Sequence, residues 1–362
     1  MTLKKFTASY FRNYKELSFA ANPLLNIFYG ENAAGKTSLL EAIYYLGMGR
    51  SFRTRSIDRI IHTEADGFTL FGLIDHQSHD LSLGLERLRQ GDRRLHVDGD
   101  PKANQAEAIK YLPLIFISTN SYRYFYEGPK ARRNFLDWGV FHVKHNFYSL
   151  WQRMQRSLKQ RNAGLAQKLS ASQLAIWENE FTHVSEEIDQ LRQEYVNEIT
   201  PIIKQLLQEF THQEAKNILF KYERGWPLGK SLKEVMANNR AQDQRLGYTF
   251  AGPQRADFRI YVNSIPAQDV FSQGQQKQVA YALYLAQGIL FKSYSQRAPI
   301  YLIDDLPAEL DKNKRGYLGE ILSQLNAQVF VTGINSESLT QMFDLKKSSL
   351  FHVKQGRINA VL

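Results

Sequence analysis

The chain has 362 residues, which is enough for one large or two medium domains, and its hydrophobic fraction of 43% supports a substantial core. It contains no cysteine, which excludes disulfides and thiolate chemistry and fits a reducing compartment. The formal net charge of +10, from 46 Lys and Arg against 36 Asp and Glu, favours a polyanionic partner, with simple solubility as the alternative.

The sequence contains no segment typical of a secretory signal or a membrane span. Residues 1–14 have no apolar run of the signal-peptide kind. No stretch reaches about 18 uninterrupted apolar residues, the length that a spanning helix requires. We therefore expect a cytoplasmic protein without a membrane segment.

In chain order, residues 1–125 predict a mixture of strands and helices. A β-prone piece surrounds residues 11–14, and alternating segments follow at 69–74, 81–86 and 94–97. The last segment ends in Asp98-Gly99, a dipeptide typical of tight turns. These segments predict antiparallel strands.

Within this zone, residues 30–37 read G-E-N-A-A-G-K-T, the pattern of a phosphate-binding P-loop. A short apolar stretch precedes it, and apolar residues at helical spacing follow it over 38–46. A glycine loop between a strand and a helix can wrap phosphate oxygens and direct free N–H groups at them. We expect Lys36 to reach the β- and γ-phosphates and Thr37 to bind Mg²⁺; a glycine turn without a ligand is the alternative. The predicted nucleotide-binding residues are Gly30, Glu31, Asn32, Ala33, Ala34, Gly35, Lys36, Thr37 and Ser38.

Residues 126–245 predict a helical, charged region that begins after Gly128-Pro129. One apolar stripe covers 147–158, and a second covers 174–195 at steps of three and four residues. The second stripe is typical of a helical hairpin or a short coiled-coil arm. An ordinary helical subdomain is an equally good interpretation, because heptads are not sustained.

Residues 246–362 return to alternating strands and helices. The pattern predicts strands over 258–262, 299–303 and 328–332, and a helix over 275–291. The segment 350–362 predicts a hairpin with Gly356 in its turn.

Two further motifs carry chemistry. Asp304 and Asp305 follow a buried strand, at the edge where phosphate sites lie in open α/β sheets. We expect Asp304 to hold Mg²⁺ and Asp305 to orient or deprotonate an attacking water. Ser272 and Gly274 stand at a helix start, where free N–H groups make an anion site, although an ordinary serine N-cap is the simpler alternative.

Taken in order, these motifs resemble the ATP-binding-cassette ATPase heads of the SMC-like group. Ser272-x-Gly274 matches the signature motif, Asp304-Asp305 matches Walker B, and Asp311 matches the D-loop. Within that group the chain is similar to the RecF family of bacterial recombination and gap-repair proteins. The stretches that carry this similarity are 11–14, 40–43, 49–54, 128–133, 135–137, 252–255 and 302–311.

The chain departs from the family pattern at three places. Ala33 stands where the family usually has glycine, and Gln254 where it usually has histidine. Residues 118–120 replace a stretch that usually contains Pro-Glu, so Asn120 is only a candidate for the Q-loop residue. None of these differences removes an expected phosphate or metal ligand.

The resemblance implies an α/β fold, an ABC-type ATPase head with a mixed sheet. Lobe I would comprise 1–125 and 246–362, and a helical lobe II would comprise 126–245. It implies ATP and Mg²⁺ as ligands and an ATP-dependent homodimer in which the signature segment of one copy contacts the γ-phosphate held by the other. That segment contains Ser272, Gly274, Gln275 and Lys277. Thr332 matches the switch position that is histidine in transporters; because threonine cannot take up and release a proton at neutral pH as histidine can, we expect slow hydrolysis. The resemblance implies that DNA stimulates it.

Clusters of basic residues predict sequence-independent DNA binding through phosphates. No zinc finger or recognition helix is evident, so readout of base sequence is not expected. A solvated charged face is the alternative for each cluster, and Arg50 and Arg53 could instead contact nucleotide. The three clusters are Arg50, Arg53, Arg55 and Arg59; Lys130, Arg132 and Arg133; and Arg153, Arg156, Lys159 and Arg161.

The resemblance also implies a role in DNA replication and recombinational repair. The chain would bind single- and double-stranded or gapped DNA and help to load recombinase with mediator proteins of the RecR and RecO type. Two alternatives remain open: a P-loop kinase acting on a small molecule, and a structural DNA clamp that binds ATP with negligible hydrolysis.

Overall fold

The computed structural model describes residues 1–76, 79–122, 128–211, 217–305, 312–340 and 348–361. These residues form two compact units, Met1–Ser121 with Phe291–Leu362 and Tyr122–Leu290. In the described ranges, no helix combines the length and hydropathy needed to cross a membrane.

The first unit contains most of the strands. Before residue 122 its elements are β1 (Thr2–Phe11), β2 (Tyr14–Ala20), β3 (Leu25–Tyr29), α1 (Lys36–Met48), β4 (Gly67–His76), β5 (His79–Leu88), β6 (Arg93–Val97), α2 (Gln105–Tyr111) and β7 (Leu114–Ser118). The strands predicted at 69–74, 81–86 and 94–97 are thereby confirmed as β4, β5 and β6.

The second unit is mainly helical. Its elements are α3 (Pro129–Val143), α4 (Phe147–Ala166), α5 (Ala171–Thr211), β8 (Ile218–Glu223), α6 (Leu232–Leu246), β9 (Asp257–Val262), β10 (Ile265–Pro266), α7 (Ala267–Val270) and the beginning of α8 (Gln273–Ser295). The apolar stripe at 174–195 belongs to α5, a helix of 41 residues that packs along α4. The helical hairpin is thus confirmed.

The chain then returns to the first unit. Its remaining elements are β11 (Ile300–Asp304), α9 (Lys312–Gln324), β12 (Val329–Gly333), α10 (Ser336–Thr340), β13 (Ser348–Lys354) and β14 (Arg357–Ala360). Gly356 lies in the β13–β14 turn with a φ of 72°, as the sequence predicts.

The second unit extends further than the predicted helical lobe. It reaches Leu290 and not residue 245, because β8, β9 and β10 form a separate three-stranded antiparallel sheet beside the helices. Sequence analysis missed β8, whose six residues interrupt a region of helical pattern.

Two sheets build the first unit. One is antiparallel, in the order β2-β1-β4-β5-β6. The other has the order β14-β13-β3-β12-β11-β7 and is parallel except for β14, which pairs antiparallel with β13. The α/β mixed-sheet architecture expected from the sequence is confirmed.

Aromatic side chains join these two sheets. Phe28 of β3 stacks on Phe351 of β13 with ring centroids 4.8 Å apart, and Phe19 of β2 contacts Phe28 at 5.3 Å. All three are buried, and such pairs contribute about 0.5–1.5 kcal/mol each beyond the area that they bury. This core holds β3, and therefore the loop that follows it, in a fixed place.

Candidate nucleotide-binding site

The loop between β3 and α1 requires glycine at both of its ends. Gly30 has a φ of 155°, and a Cβ there would lie 2.2 Å from the carbonyl oxygen of Val353. Gly35 has a φ of 117°, and a Cβ there would lie 2.6 Å from the side-chain nitrogen of Asn13. A side chain at Gly30 would therefore displace the backbone of Val353, and one at Gly35 would displace the side chains of Asn13 and Tyr14 that support the loop.

Two turns from other parts of the first unit support this loop. The Tyr14 hydroxyl donates to the Gly35 carbonyl at 3.1 Å, and the Asn13 side-chain amide donates to the Ala34 carbonyl at 3.4 Å. From the C-terminal hairpin, the Gly356 N–H donates to the same Ala34 carbonyl at 3.1 Å. Burial raises the pKa of Tyr14, so its hydroxyl stays protonated and remains a donor at neutral pH.

Lys36, the first residue of α1, folds back over the loop. Its ammonium group donates to the carbonyls of Gly30 at 2.7 Å and Glu31 at 2.8 Å. Burial lowers the pKa of Lys36, while the nearby carboxylates of Asp305 and Asp304 act in the opposite direction. A buried cation at the start of a helix is the arrangement expected for binding phosphate groups.

Parallel pairing brings the acidic strand end to the same edge of the sheet. The Thr37 hydroxyl donates to Asp304 Oδ2 at 2.9 Å, and the Thr332 hydroxyl donates to Asp304 Oδ1 at 2.7 Å. The Asp305 N–H in turn donates to Thr332 Oγ1 at 3.0 Å. Thr332, the predicted switch residue, thus contacts both acids. Thr37 of the P-loop helix likewise contacts Asp304 at the end of β11.

The pKa of Asp304 lies above its usual value. The main cause is burial, and the neighbouring Asp305 adds to it, while hydrogen bonds from Thr332 and Thr37 and the charge of Arg53 act against it. A carboxylate held in this environment favours an added positive charge.

The donor set fits Mg²⁺. Hydroxyl and carboxylate oxygens are hard ligands, and Mg²⁺ is usually held by one or two such protein groups together with substrate phosphates. Throughout the described residues, no group of three or more His, Asp or Glu side chains could hold a metal by itself. Thr37 and Asp304 therefore suit an ion shared with a phosphate ligand.

Sequence reasoning missed a buried acid that connects the loop after α1 to the β1–β2 turn. Glu41 is 0% exposed and receives two hydrogen bonds from Arg12, at 2.9 and 2.6 Å. The Ser51 hydroxyl also donates to Glu41, and Arg53 Nη1 lies 3.6 Å from it. The signal in the sequence was a glutamate on the apolar side of a helix.

In the second unit, Ser272 caps α8. The Ser272 hydroxyl accepts from the Gln275 N–H at 3.3 Å, and the Gln275 side chain accepts from the Ser272 N–H at 2.9 Å, so the two form a reciprocal capping box. Ser272 and Gly274 are exposed, and the closest atom to a Cβ at Gly274 would be Ser272 Oγ at 3.9 Å. Lys277 Nζ lies 5.8 Å from the Tyr122 ring centroid. Ser272 therefore acts as an N-cap, and because the start of the helix is exposed, its role as the signature segment stays a prediction.

Comparison with known proteins agrees with this geometry. The family model described as "RecF/RecN/SMC N terminal domain" matches residues 2–359. The chain belongs to this family. A protein of Coxiella burnetii (strain CbuK_Q154) named "DNA replication and repair protein RecF" is 46% identical over 97% of each chain. A protein of the same name from Psychromonas ingrahamii is 40% identical over 99% of each.

Solved structures of the family share the fold. The recombination mediator protein RecF bound to ATP superposes with a TM-score of 0.87 at 24% identity, covering 100% of this chain and 98% of that one. The Smc head domain of Pyrococcus furiosus has a TM-score of 0.57 at 14% identity, covering 99% and 96%. The resemblance to the RecF family is confirmed.

The predicted DNA-binding cations differ in their surroundings. Arg50, Arg55, Lys130 and Arg156 are exposed. Arg132 makes two hydrogen bonds to Asp257, at 2.6 and 2.7 Å, Arg133 donates to the Ala256 carbonyl at 2.8 Å, and Arg153 pairs with Glu180 at 2.7 Å.

The assignment of Arg161 to a DNA-binding face was wrong. Its side chain is 0% exposed and donates to Asp243 at 2.8 Å and Thr249 at 2.7 Å. The partners lie 82 and 88 residues further along the chain, so the spacing of basic residues on α4 could not reveal them.

Two other predicted residues remain without a structural account. Asp311, the predicted D-loop residue, lies outside the described residues. Asn120 is exposed and donates its N–H to Ser118 Oγ at 3.3 Å, so its role in the Q-loop stays a prediction.

Ala33 has a left-handed backbone, with a φ of 64°. This conformation costs an L-residue other than Asn or Asp about 1–2 kcal/mol, whereas glycine adopts it freely. Replacing Ala33 with glycine is therefore expected to raise the free energy of unfolding by about 1 kcal/mol in urea titration. Ala34→Gly is the matched control, because Ala34 is buried and lacks a positive φ; it should lose stability. If Ala33→Gly lowers the free energy of unfolding, the proposed backbone strain at Ala33 is contradicted.

Proposed function

We propose that this chain is an ATP-binding and ATP-hydrolysing protein that acts on DNA in replication and recombinational repair in the cytoplasm. One observation carries the proposal: the buried carboxylate of Asp304 receives hydrogen bonds from Thr37 of the P-loop helix and Thr332 of the neighbouring strand. Its raised pKa marks a group placed for a positively charged ligand. Relatives named for DNA replication and repair over nearly the full length support the cellular role.

In the proposed reaction, the loop N–H groups and Lys36 bind the β- and γ-phosphates of ATP. Mg²⁺ held by Thr37 and Asp304 would offset the negative charge of these phosphates. Asp305 orients a water molecule and accepts its proton as the water oxygen bonds to the γ-phosphorus and the bond to ADP breaks. The Thr332 hydroxyl accepts from the Asp305 N–H and donates to Asp304, but it cannot take up and release a proton at neutral pH, so hydrolysis is slow. By resemblance to the family, DNA stimulates it.

The exposed start of α8 supports a second part of the proposal. Ser272 offers a hydroxyl and Gly274 a backbone N–H to an anion at the positive end of a helix. We assign them, with Gln275 and Lys277, to the γ-phosphate of ATP bound by a second copy, so that ATP joins two copies and hydrolysis releases them. Asp311 would lie at this interface as the D-loop residue.

DNA and mediator proteins complete the proposal. The exposed cations Arg50, Arg55, Lys130 and Arg156 would contact phosphates without reading sequence. A structure of a relative describes RecF as a recombination mediator of the RecFOR pathway. By analogy, we propose that this chain helps to load recombinase at gaps together with RecO- and RecR-type proteins.

The test is the mass of the protein in solution, with and without ATP and Mg²⁺. The wild type should form dimers with ATP, and Ser272→Arg should remain monomeric while each monomer still binds ATP. Lys36→Arg should weaken ATP retention. Ser272→Thr is the matched control, because it keeps a capping hydroxyl and should still dimerise.

Two results would count against the proposal. If Ser272→Arg still forms dimers normally with ATP, the proposed site shared between two copies is contradicted. Transfer of phosphate from ATP to an added small molecule, with no ATP-dependent dimer, would instead establish the kinase alternative.

A further inference from the structure

The segment between α6 and β9 carries two exposed aromatic side chains and an arginine. Tyr248 is 39% exposed and Phe250 is 45% exposed. The Arg255 guanidinium carbon lies 5.6 Å from the Tyr248 ring centroid and 5.2 Å from that of Phe250. One cation thus contacts both rings, an arrangement within the range of cation–π attraction. We call these three residues the aromatic platform.

A buried polar network holds the platform from below. Thr249, between the two aromatic residues, is 3% exposed, and its N–H and hydroxyl both donate to the Asn162 side chain, at 2.8 and 2.7 Å. Arg161 donates to the Thr249 hydroxyl at 2.7 Å. The Phe250 N–H donates to Asp243 at 3.1 Å. Since Thr249 is fixed inward, its two neighbours are directed outward.

The end of the segment is braced as well. The Gln254 side-chain amide donates to the carbonyls of Thr249 at 3.3 Å and Ala251 at 3.1 Å. Gly252 has a φ of 134°, and its N–H donates to the Gly225 carbonyl at 3.2 Å. These contacts hold the stretch 252–255 against the segment that carries the two aromatic residues.

The platform is positively charged. In the described part of the chain, Arg255 makes no ion pair with a carboxylate, and the nearby Asp243 is buried and bound to Arg161. Arg245, in the last turn of α6, is exposed and adds a second cation three residues before Tyr248. The two exposed rings are rigidly held beside cations that have no carboxylate partner in the described residues. Binding of a purely apolar partner or of a basic partner is therefore unfavourable.

We propose that the aromatic platform binds single-stranded DNA, with bases stacked on Tyr248 and Phe250 and Arg255 contacting the backbone phosphate. Rings with adjacent cations are the common way in which proteins hold single strands without reading sequence, because every base has a flat aromatic face. A duplex offers no unstacked base to the rings. This inference rests on the DNA-binding part of the proposed function and adds to it the strand type and the residues.

The test uses the full-length protein and two labelled strands of equal length, oligothymidylate of about 20 nucleotides and the same backbone with abasic sites. Tyr248→Ala and Phe250→Ala should each weaken binding to oligothymidylate by about 5- to 100-fold and leave abasic binding within about twofold. Arg255→Ala should weaken binding to both strands and reduce the salt dependence of binding by the amount expected for about one phosphate contact.

Matched variants separate stacking from general damage. Tyr248→Phe and Phe250→Tyr keep the rings and should bind as the wild type does. Leu228→Ala, which removes an apolar side chain that is 84% exposed elsewhere in the same unit, should have no effect. All variants should keep the wild-type unfolding temperature, because the changed side chains are exposed.

Four results would overturn the inference. If the alanine variants bind oligothymidylate as tightly as the wild type, or lose oligothymidylate and abasic binding equally, the rings do not stack on bases. If the alanine variants change only the mass of the protein in solution with ATP, the platform is an interface between copies. If the wild type binds neither strand, the DNA-binding part of the proposed function fails as well, whereas the first three results leave it standing.

Discussion

Replacing Arg161 with methionine is expected to lower the free energy of unfolding by about 3–5 kcal/mol. Arg161 is fully buried and joins three helices, because it lies on α4, pairs with Glu178 of α5 at 3.1 Å and with Asp243 of α6 at 2.8 Å. Methionine fills a similar volume but leaves two largely buried carboxylates without this cation. Urea denaturation at neutral pH measures the loss.

Arg153→Met on the same helix is the matched control. Arg153 also pairs with a glutamate of α5, Glu180, but both side chains are about two-fifths exposed. Exposed pairs contribute about 0–1 kcal/mol, so this variant should be almost as stable as the wild type. If both variants lose the same free energy of unfolding, burial does not determine how much the ion pairs of Arg161 contribute to stability.

The second large effect concerns hydrolysis. Asp305→Asn should reduce the ATP hydrolysis rate by about 10²- to 10⁴-fold while ATP binding is retained, because the amide cannot accept the proton of the attacking water. Asp305 has a φ of 56°, and asparagine tolerates this left-handed backbone about as well as aspartate does. The Asp305 N–H can therefore keep its hydrogen bond to Thr332. Single-turnover hydrolysis and equilibrium binding of ATP measure the two effects separately.

The neighbouring acid provides the contrast. Asp304→Asn should weaken binding of ATP in the presence of Mg²⁺, since Asp304 and Thr37 form the proposed metal site. Asp305→Asn should instead accumulate ATP-bound dimers that do not separate. A variant at Asp305 that hydrolyses ATP at the wild-type rate would exclude this residue as the base.

Local patterns predicted the centre of the fold and part of the site. The strand, glycine loop and helix around Lys36 are continuous in sequence, and the apolar run before Asp304 identifies a buried parallel strand. Parallel strands end at a common edge, so the meeting of Thr37 with Asp304 followed from these two motifs.

Contacts between distant residues could not be predicted in this way. Tyr14 and Gly356 support the P-loop from turns whose sequences carry no phosphate-binding signal. Arg161 follows the buried Met154 and Ser157 of α4 at steps of seven and four residues and so shares their face of the helix, but its acidic partners lie on α5 and α6. Burial of a charged group depends on these remote partners, which spacing along one helix does not contain.

The position of β3 has a consequence for how the protein matures on the ribosome. Both neighbours of this early strand, β12 and β13, come from the last part of the described chain, and Leu25 pairs with Val329 and with Ser348. The loop that follows β3 is closed by Val353 and Gly356. We therefore expect a nascent chain to complete the loop after β3 only once about 300 residues have been made, and a chain that ends before β12 to lose the proposed ATP binding even though every P-loop residue is present.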